Sequence, residues 1–218
     1  MRVAQMLMVT ASALMLSGCM QQPKTTKVSS QAEGPIKIEL NQVTPQESKG
    51  TTANEGKEMV FEVGYGKNGV GCIGSTFVEG VTPLGTFKVN AIMSQDRFEM
   101  DEALIKQSGK TKSYLSENLF NNMNSIDFKG DGETGEYGSG YISLTPVPST
   151  PQPFTFNKYD GIYRWYSFAI HGTNDETRIG QSITGGCINM QNKDIDKLIR
   201  SINLGDKVVV TSKQPCNR

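Results

Sequence analysis

The sequence has only one histidine, His171, and its four cysteines show no Cys-x-x-Cys spacing. A zinc site built from several histidines is therefore excluded, and neither a zinc ribbon nor a thioredoxin-like motif is supported. The 22 basic and 22 acidic residues cancel, which argues against the basic surface that nucleic-acid binding requires. We expect no nucleic-acid partner, no metal and no cofactor, and the sequence carries no signal for an oligomeric state.

Long apolar runs are scarce, and the one at the N-terminus is shorter than the ~20 residues that span a bilayer. It extends from Val3 to Leu16 after the basic Arg2, so we interpret residues 1–18 as a signal peptide. Residues 16–19 read Leu-Ser-Gly-Cys, which resembles the lipobox of bacterial lipoproteins and implies lipidation of Cys19. The alternative is an ordinary secretory signal that contains a cysteine by chance. Both routes export the protein to a compartment where thiols can oxidise.

Three further segments follow the signal peptide. Residues 19–57 are rich in Thr, Ser, Gln, Lys and Gly, and we interpret them as a lipid-anchored flexible tether. Within the tether, residues 36–40 alternate like a short strand. We place the folded domain at residues 58–212, which is long enough for its own core, and a C-terminal tail at residues 213–218.

Short alternating apolar segments predict a mainly β domain with few helices. They lie at residues 59–63, 86–92, 141–144, 163–170 and 207–211. The best helix pattern covers Lys193 to Ile202, with Asn192 as its N-cap. Between the strands lies a polar segment from Gln95 to Ser139, with short helices predicted at residues 101–107 and 113–122. We expect this segment to form a lid or side wall.

One pair of residues suggests nucleophilic catalysis. His171 ends an apolar strand, and Cys187 lies sixteen residues later, after two glycines and just before the helix pattern. A thiolate is a strong nucleophile, and a nearby imidazole can take the thiol proton and form an ion pair with it. The backbone amides of Gly186 and Cys187 are then the expected oxyanion donors. The alternative is a structural histidine and a small buried cysteine without reactivity.

The same region resembles the signature of the L,D-transpeptidase catalytic domain, also called the YkuD-type domain. That signature is His, a gap, Ser or Thr, His, Gly, Cys, an apolar residue, and Asn or Arg. The matching residues here are His171, Thr184, Gly186, Cys187, Ile188 and Asn189. Residues 81–87 (VTPLGTF) and 169–172 (AIHG) resemble two other elements of the family. Two departures stand out: the gap is slightly short, and Gly185 replaces the usual second histidine.

The resemblance implies a β-sandwich, with a short helix after the nucleophile, that acts on peptidoglycan stem tetrapeptides. In such domains the cysteine forms a thioester with the diaminopimelate carbonyl, D-alanine leaves, and an amine accepts the acyl group. Cys187 is the implied nucleophile and His171 the base. Because Gly172 has no side chain, a backbone carbonyl must orient the imidazole.

Other roles follow from the same resemblance. Thr184, Gly185 and Asn189 are implied substrate-binding positions, and Arg178 is placed to meet a substrate carboxylate unless it is only an exposed loop charge. If water accepts the acyl group, the enzyme is an L,D-carboxypeptidase or amide hydrolase. A third alternative is a non-catalytic wall-binding lipoprotein, against which the intact Cys187 and His171 argue.

The two remaining cysteines flank the folded domain. Once Cys19 and Cys187 have other roles, Cys72 and Cys216 are left in an oxidising compartment. We expect a disulfide between them, and two separate thiols are the alternative.

The lipobox generates a prediction about the anchor. Cys19→Ala should release the protein from membranes into the soluble fraction, because the lipid would be lost. Metabolic labelling with a fatty acid should mark the wild-type chain and a Cys187→Ala control but not Cys19→Ala. Since Met20 is not acidic, by analogy with lipoprotein sorting we expect the periplasmic face of the outer membrane where the cell has one. An unlabelled wild-type chain would contradict the lipid anchor.

Overall fold

The computed structural model describes residues 25–29, 36–41, 59–120, 137–150, 152, 156–159, 161–165 and 167–217. The described strands are β1 (Thr25–Ser29), β2 (Ile36–Asn41), β3 (Met59–Val60), β4 (Tyr65–Gly66), β5 (Val70–Gly71), β6 (Thr82–Pro83), β7 (Gly85–Ser94), β8 (Arg97–Met100), β9 (Gly140–Pro146), β10 (Phe156–Tyr159), β11 (Ile162–Trp165), β12 (Ala169–His171), β13 (Ser182–Thr184), β14 (Ile188–Asn189) and β15 (Lys207–Ser212). The helices are α1 (Glu102–Ser108), α2 (Lys112–Leu115), a π-helix (Ser116–Phe120), a 3-10 turn (Glu176–Arg178) and α3 (Asn192–Ile199). The fold is mainly β, as the sequence predicts.

One mixed sheet organises the molecule. Its strands run in the order β14–β12–β9–β7–β15–β2–β1–β3, and β8 pairs with β7. Neighbours are antiparallel except for two parallel pairs, β12 with β14 and β1 with β3. Three two-stranded sheets lie outside it: β10 with β11, β13 with β4, and β5 with β6.

The structure differs from the expected tether over part of residues 19–57, and it confirms the strand expected at residues 36–40. Strands β1 and β2 fall inside this range, and β2 pairs with β15 from Ile36 opposite Ser212 to Asn41 opposite Lys207. The side chain of Ile38 is 1% exposed and belongs to the core. A strand edge offers backbone donors and acceptors that a passing alternating segment can satisfy, which explains why this polar region joins the sheet. Cys19 and residues 1–18 lie outside the described residues.

The main sheet has an apolar cluster on each face. In β9, Ile142 and Leu144 belong to one cluster and Tyr141 to the other, as the alternation of side chains across a strand requires. The first cluster is closed by α3, whose Ile195, Leu198 and Ile199 are buried. The second is closed by α2, the π-helix and β11.

Helix α3 confirms the strongest helix prediction but not its cap. The N-cap position is Gln191, which makes no side-chain capping bond. Asn192 instead accepts hydrogen bonds at Oδ1 from the backbone amides of Ser139 and Thr173, both at 3.1 Å. Its Nδ2 donates to the Thr173 carbonyl at 3.0 Å. The Asn192 side chain therefore binds backbone amides of distant residues and does not cap the helix. These bonds fix the loop just after His171.

The segment expected to be a lid, residues 95–139, contains β8, α1, α2 and the π-helix. Its two short helices match the predicted ones, and Leu115 and Leu119 are fully buried in the second cluster. This segment therefore contributes core packing, and residues 121–136 lie outside the described residues. Its role as a lid stays a prediction. In the described part of the chain, no helix is long and apolar enough to cross a membrane.

Cys72 and Cys216 form a disulfide across a sequence separation of 144 residues, which confirms the predicted pairing. The backbone near Cys216 is also held, because the Asn217 amide donates to the Val70 carbonyl at 2.7 Å. The Gln214 side chain donates to the Tyr65 hydroxyl at 3.0 Å. The expected tail at residues 213–218 is thus fastened, over its described residues, to the start of the domain.

The disulfide should stabilise the fold by restricting the unfolded chain. For a closed loop of this length, the chain-entropy model allows at most about 5 kcal/mol. We expect the Cys72→Ser/Cys216→Ser double variant to unfold at lower urea concentration than the wild type, by part or all of that amount. Reductant should lower the wild-type midpoint and leave the double variant unchanged. Equal midpoints for wild type and double variant would show that the bond contributes nothing.

Candidate active site

The cysteine and histidine lie at two neighbouring parallel strands, with His171 as the last residue of β12 and Cys187 in the turn just before β14. β12 ends at His171 and pairs with β14 so that Ile170 lies opposite Ile188. Cys187 directly precedes Ile188 and therefore lies beside Ala169. Since side chains alternate across a strand, the Cys187 thiol and the His171 imidazole both extend from the face opposite the two isoleucines. The register thus places the two residues that the sequence predicts as nucleophile and base on one face, at neighbouring positions of the sheet.

The His171 imidazole is buried and oriented by its own backbone. The residue is 4% exposed, and its Nδ1 makes a 2.7 Å hydrogen bond with the Gly172 carbonyl. A carbonyl can only accept, so Nδ1 carries the proton and Nε2 keeps its lone pair as the basic nitrogen. The Tyr137 ring contacts the imidazole at 4.3 Å between centroids. The prediction that a backbone carbonyl orients this ring is confirmed.

The turn that leads to Cys187 has all its carbonyls hydrogen-bonded. Those of Thr184 and Gly185 accept from the amides of Lys67 and Gly80, at 2.9 and 2.7 Å. The Gly186 carbonyl accepts from the Thr82 hydroxyl at 2.9 Å, and the Cys187 carbonyl accepts from the Thr184 hydroxyl at 2.6 Å. The backbone around the nucleophile is therefore held in one conformation.

The two glycines of this turn differ in their surroundings. Gly186 has φ +126°, and a Cβ there would lie 2.7 Å from the Phe77 ring and 2.9 Å from the Val81 carbonyl. Only glycine fits this position without strain. A Cβ on Gly185 would meet nothing within 4 Å, so the place of the family's usual histidine is open space beside the nucleophile.

The expected pair of oxyanion donors is only half realised. The Gly186 amide donates to the Thr184 hydroxyl at 3.0 Å, so the structure corrects its predicted role. This bond closes a local side-chain turn of the kind that Ser and Thr form readily. The Cys187 amide has no acceptor among the described residues and remains the candidate donor to an oxyanion.

A buried polar network lies behind the nucleophile. The Cys187 thiol is half-buried and donates to the Ser167 carbonyl at 3.7 Å. The Ser167 hydroxyl in turn contacts the hydroxyls of Tyr141 at 3.0 Å and Ser143 at 2.5 Å. No sequence pattern predicts these three residues. The alternation in β9 places Tyr141 and Ser143 on one face, but no pattern identifies their partner across the sheet.

The residues expected to bind substrate are placed differently from one another. Thr184 is 3% exposed. Its hydroxyl accepts from the Gly186 amide and donates to the Cys187 carbonyl, so this side chain stabilises the turn and is not free to bind a substrate. Asn189 is 1% exposed, lies opposite His171 in the strand register, and has no partner for Oδ1 among the described residues. Its burial leaves little of the side chain accessible to a substrate. Arg178 is half-buried in the 3-10 turn, and its charge acts on His171.

The described ranges hold no group of three His, Cys, Asp or Glu side chains suited to a metal ion. A comparison with protein families matches residues 43–210 to the L,D-transpeptidase catalytic domain, YkuD. The match covers more than half of the chain. The chain belongs to this family.

Individual relatives of this L,D-transpeptidase domain match over shorter stretches. YkuD of Bacillus licheniformis, named only as a candidate L,D-transpeptidase, is 39% identical over 76 residues, which is 33% of this chain and 42% of the relative. Two such proteins of Bacillus subtilis, YqjB and YkuD, are 39% and 40% identical over 44 and 43 residues. Each of these covers 20% of this chain, with 25% and 26% of the relative. The chain thus spans less than half the length of the curated relatives it matches.

Burial opposes charge on both reacting groups of this L,D-transpeptidase domain. It raises the pKa of the Cys187 thiol to about 11, partly offset by a backbone hydrogen bond from Ala169. Burial also lowers the pKa of His171 to about 4, partly offset by the Gly172 carbonyl, and the Arg178 charge lowers it further. At neutral pH both groups are uncharged. Burial therefore opposes the expected resting thiolate–imidazolium pair, because it disfavours the charged form of each group.

The raised thiol pKa determines how Cys187 should react with iodoacetamide. The thiolate is the reactive form, so the alkylation rate should rise about tenfold per pH unit from pH 6 to pH 9. At pH 7 native Cys187 should react at least about tenfold more slowly than an ordinary thiol with pKa ~8.5. The measurement uses the Cys19→Ala variant, with the same chain in urea as the matched control. A plateau of fast labelling between pH 6 and pH 8 would indicate the ion pair instead.

Proposed function

We propose that this protein is a peptidoglycan L,D-transpeptidase that works through a thioester on Cys187. The observation that carries the proposal is one half-buried thiol, on a turn whose carbonyls are all bonded, beside the only imidazole in the chain. The family membership supports peptidoglycan peptides as substrates. No nucleic-acid partner is needed.

The first half-reaction forms the thioester. As the Cys187 sulfur attacks the diaminopimelate carbonyl of a stem tetrapeptide, Nε2 of His171 takes the thiol proton. The neutral resting pair favours this concerted transfer over attack by a preformed thiolate. The Cys187 amide donates to the developing oxyanion. When the carbon–nitrogen bond breaks, the imidazolium returns the proton to the amine of the leaving D-alanine.

The second half-reaction transfers the acyl group. An acceptor amine, from a neighbouring stem or from a lysine of an envelope protein, attacks the thioester carbonyl. His171 takes a proton from this amine, the carbon–sulfur bond breaks, and the thiol recovers its proton from the imidazolium. The result is a cross-link or a protein attached to the wall.

A second candidate function is L,D-carboxypeptidase or amide hydrolase activity. The observation that favours it is the open space at Gly185, which leaves room for water next to the thioester. Water would attack in place of the amine, with His171 again taking the proton. The two functions share every residue and differ only in the acceptor.

A lipid on Cys19 would place the domain at the periplasmic face of the outer membrane, within reach of the wall. This location is part of the proposal and rests on the lipobox at residues 16–19. Strands β1 and β2 leave fewer residues for a tether than the sequence analysis expects, so the domain would lie closer to the membrane.

Removal of either reacting residue should abolish turnover of tetrapeptide muropeptides. We expect His171→Ala to lower the rate about 10²–10⁴-fold, since a proton-transfer group is lost, and Cys187→Ala to lower it further. Asn174→Ala, an exposed residue of the same loop, is the matched control and should keep full activity. Mass spectrometry of the products measures each rate. Turnover by Cys187→Ala would overturn the thioester mechanism.

The same assay separates the two acceptors when it is run in water enriched in ¹⁸O. Hydrolysis adds one ¹⁸O atom to the carboxylate of the tripeptide product, whereas transfer to an amine adds none. Cross-linked dimers without the label support the transpeptidase. Labelled tripeptide as the sole product would assign the protein to the hydrolase.

A further inference from the structure

Thr82 connects two distant backbone segments beneath the nucleophile. It is 0% exposed, and its hydroxyl accepts from the Gly66 amide at 2.8 Å. The same hydroxyl donates to the Gly186 carbonyl at 2.9 Å, across 104 residues of sequence. Both of its hydrogen bonds are thus made to backbone groups, and among the described residues its side chain makes no hydrogen bond to the Cys187 thiol.

The bond to Gly186 acts on the amide of the next residue. The Gly186 carbonyl and the Cys187 N–H belong to one planar trans peptide, so they point in opposite directions. When Thr82 holds the carbonyl on the inner side, the N–H is held toward the opposite side. This is also the amide that has no acceptor among the described residues.

The rest of the turn does not duplicate this constraint. The Gly186 amide is used by Thr184, and Gly186 itself has a backbone conformation, at φ +126°, that glycine alone adopts easily. Glycine leaves its two peptide planes freer to rotate than any other residue. A separate anchor on the Gly186 carbonyl is therefore needed to aim the Cys187 amide.

We propose that Thr82 is a positioning residue for the oxyanion site, which acts by orienting the Cys187 amide through the Gly186 carbonyl. The inference rests on the acyl-transfer chemistry of the proposed function, and it extends that chemistry to a residue 105 positions before the nucleophile. Thr82 stabilises the transition state and not the thiol. Reactions of Cys187 that pass through an oxyanion depend on Thr82, and reactions that do not are independent of it.

Two probes of one thiol test this distinction. With p-nitrophenyl acetate, sulfur attacks the ester carbonyl, a tetrahedral oxyanion forms, p-nitrophenolate leaves and His171 takes the thiol proton. With iodoacetamide, sulfur displaces iodide and no oxyanion forms. The ratio of the acylation rate to the alkylation rate at one pH therefore reports on oxyanion stabilisation, and it cancels any change in the folded fraction.

We expect Thr82→Val, which keeps the shape and removes the hydroxyl, to lower this ratio at least about tenfold, since a whole oxyanion donor is worth 10²–10³-fold. Thr82→Ser keeps the hydroxyl and should retain the wild-type ratio. The Cys19→Ala background leaves Cys187 as the only free thiol. If Thr82→Val does not fold, Thr82→Ala relieves the packing around the lost hydroxyl and the same ratio is measured there.

An unchanged ratio in the hydroxyl-free variant would overturn the proposal, whether both rates stay the same or both fall together. A ratio lowered equally by Thr82→Ser would also overturn it, because the hydroxyl would then not be the cause. The acetate ester is not a peptidoglycan peptide, so the ratio does not depend on the natural substrate. Failure of the muropeptide assay and failure of the Thr82 test are thus distinguishable.

Discussion

The parallel pairing of β12 with β14 is the constraint on which the site depends. Parallel neighbours cannot be joined by a tight turn, so the chain must leave the sheet after His171 and return before Cys187. The residues between them form the 3-10 turn and β13, which pairs with β4 at Tyr65 and Gly66. This excursion accounts for the spacing between the two reacting residues. It also brings Arg178 to the imidazole and the Thr184 hydroxyl to the turn before the thiol.

The same packing that sets this geometry determines the charge state of the pair. A sheet covered on both faces desolvates the groups packed against it, and a buried ion pair forms only when the attraction between its charges exceeds that desolvation penalty. Here burial favours the uncharged form of both the Cys187 thiol and the His171 imidazole. Low polarity also strengthens any hydrogen bond to charge that develops during reaction. A reactive resting thiolate is therefore disfavoured, and the proposed mechanism depends on a well-oriented Cys187 amide that stabilises the transition state.

The strands and the last helix could be predicted from the sequence because their signals are local. Alternation identifies β7, β9 and β15, and the apolar spacing of Ile195, Leu198 and Ile199 identifies α3. The signature residues likewise identify Cys187 and His171. What local patterns do not contain is the partner of a polar group. Asn192 has the residue type of an N-cap, yet it bonds to Ser139 and Thr173, which lie far away in sequence.

The site shows the same limit. Gly186 and Cys187 are equivalent oxyanion donors on sequence alone, and only the Thr184 hydroxyl distinguishes them by engaging one amide. Ser167 and Tyr141 carry no motif, because their importance comes from a register that places them behind the thiol. The tether prediction at residues 19–57 has a related limit: alternation suggests a strand at residues 36–40, but local sequence does not reveal that β15 offers this strand an unpaired edge. Local sequence predicts which groups can react, and long-range pairing decides which ones do.

Gly185 and Gly186 show how this division bears on specificity. Gly186 is enclosed by Phe77 and Val81 and has a positive φ that side chains disfavour, so any other residue at this position would strain the turn. Gly185 has an ordinary φ and open space around its Cα, so a side chain at this position would alter only the room next to the thioester. In the proposed mechanism the acceptor approaches near this position, so the space there would bear on the choice among water, a peptide amine and a protein lysine. Two adjacent residues are thus under different physical constraints: packing and backbone conformation fix Gly186, whereas Gly185 has open space around it.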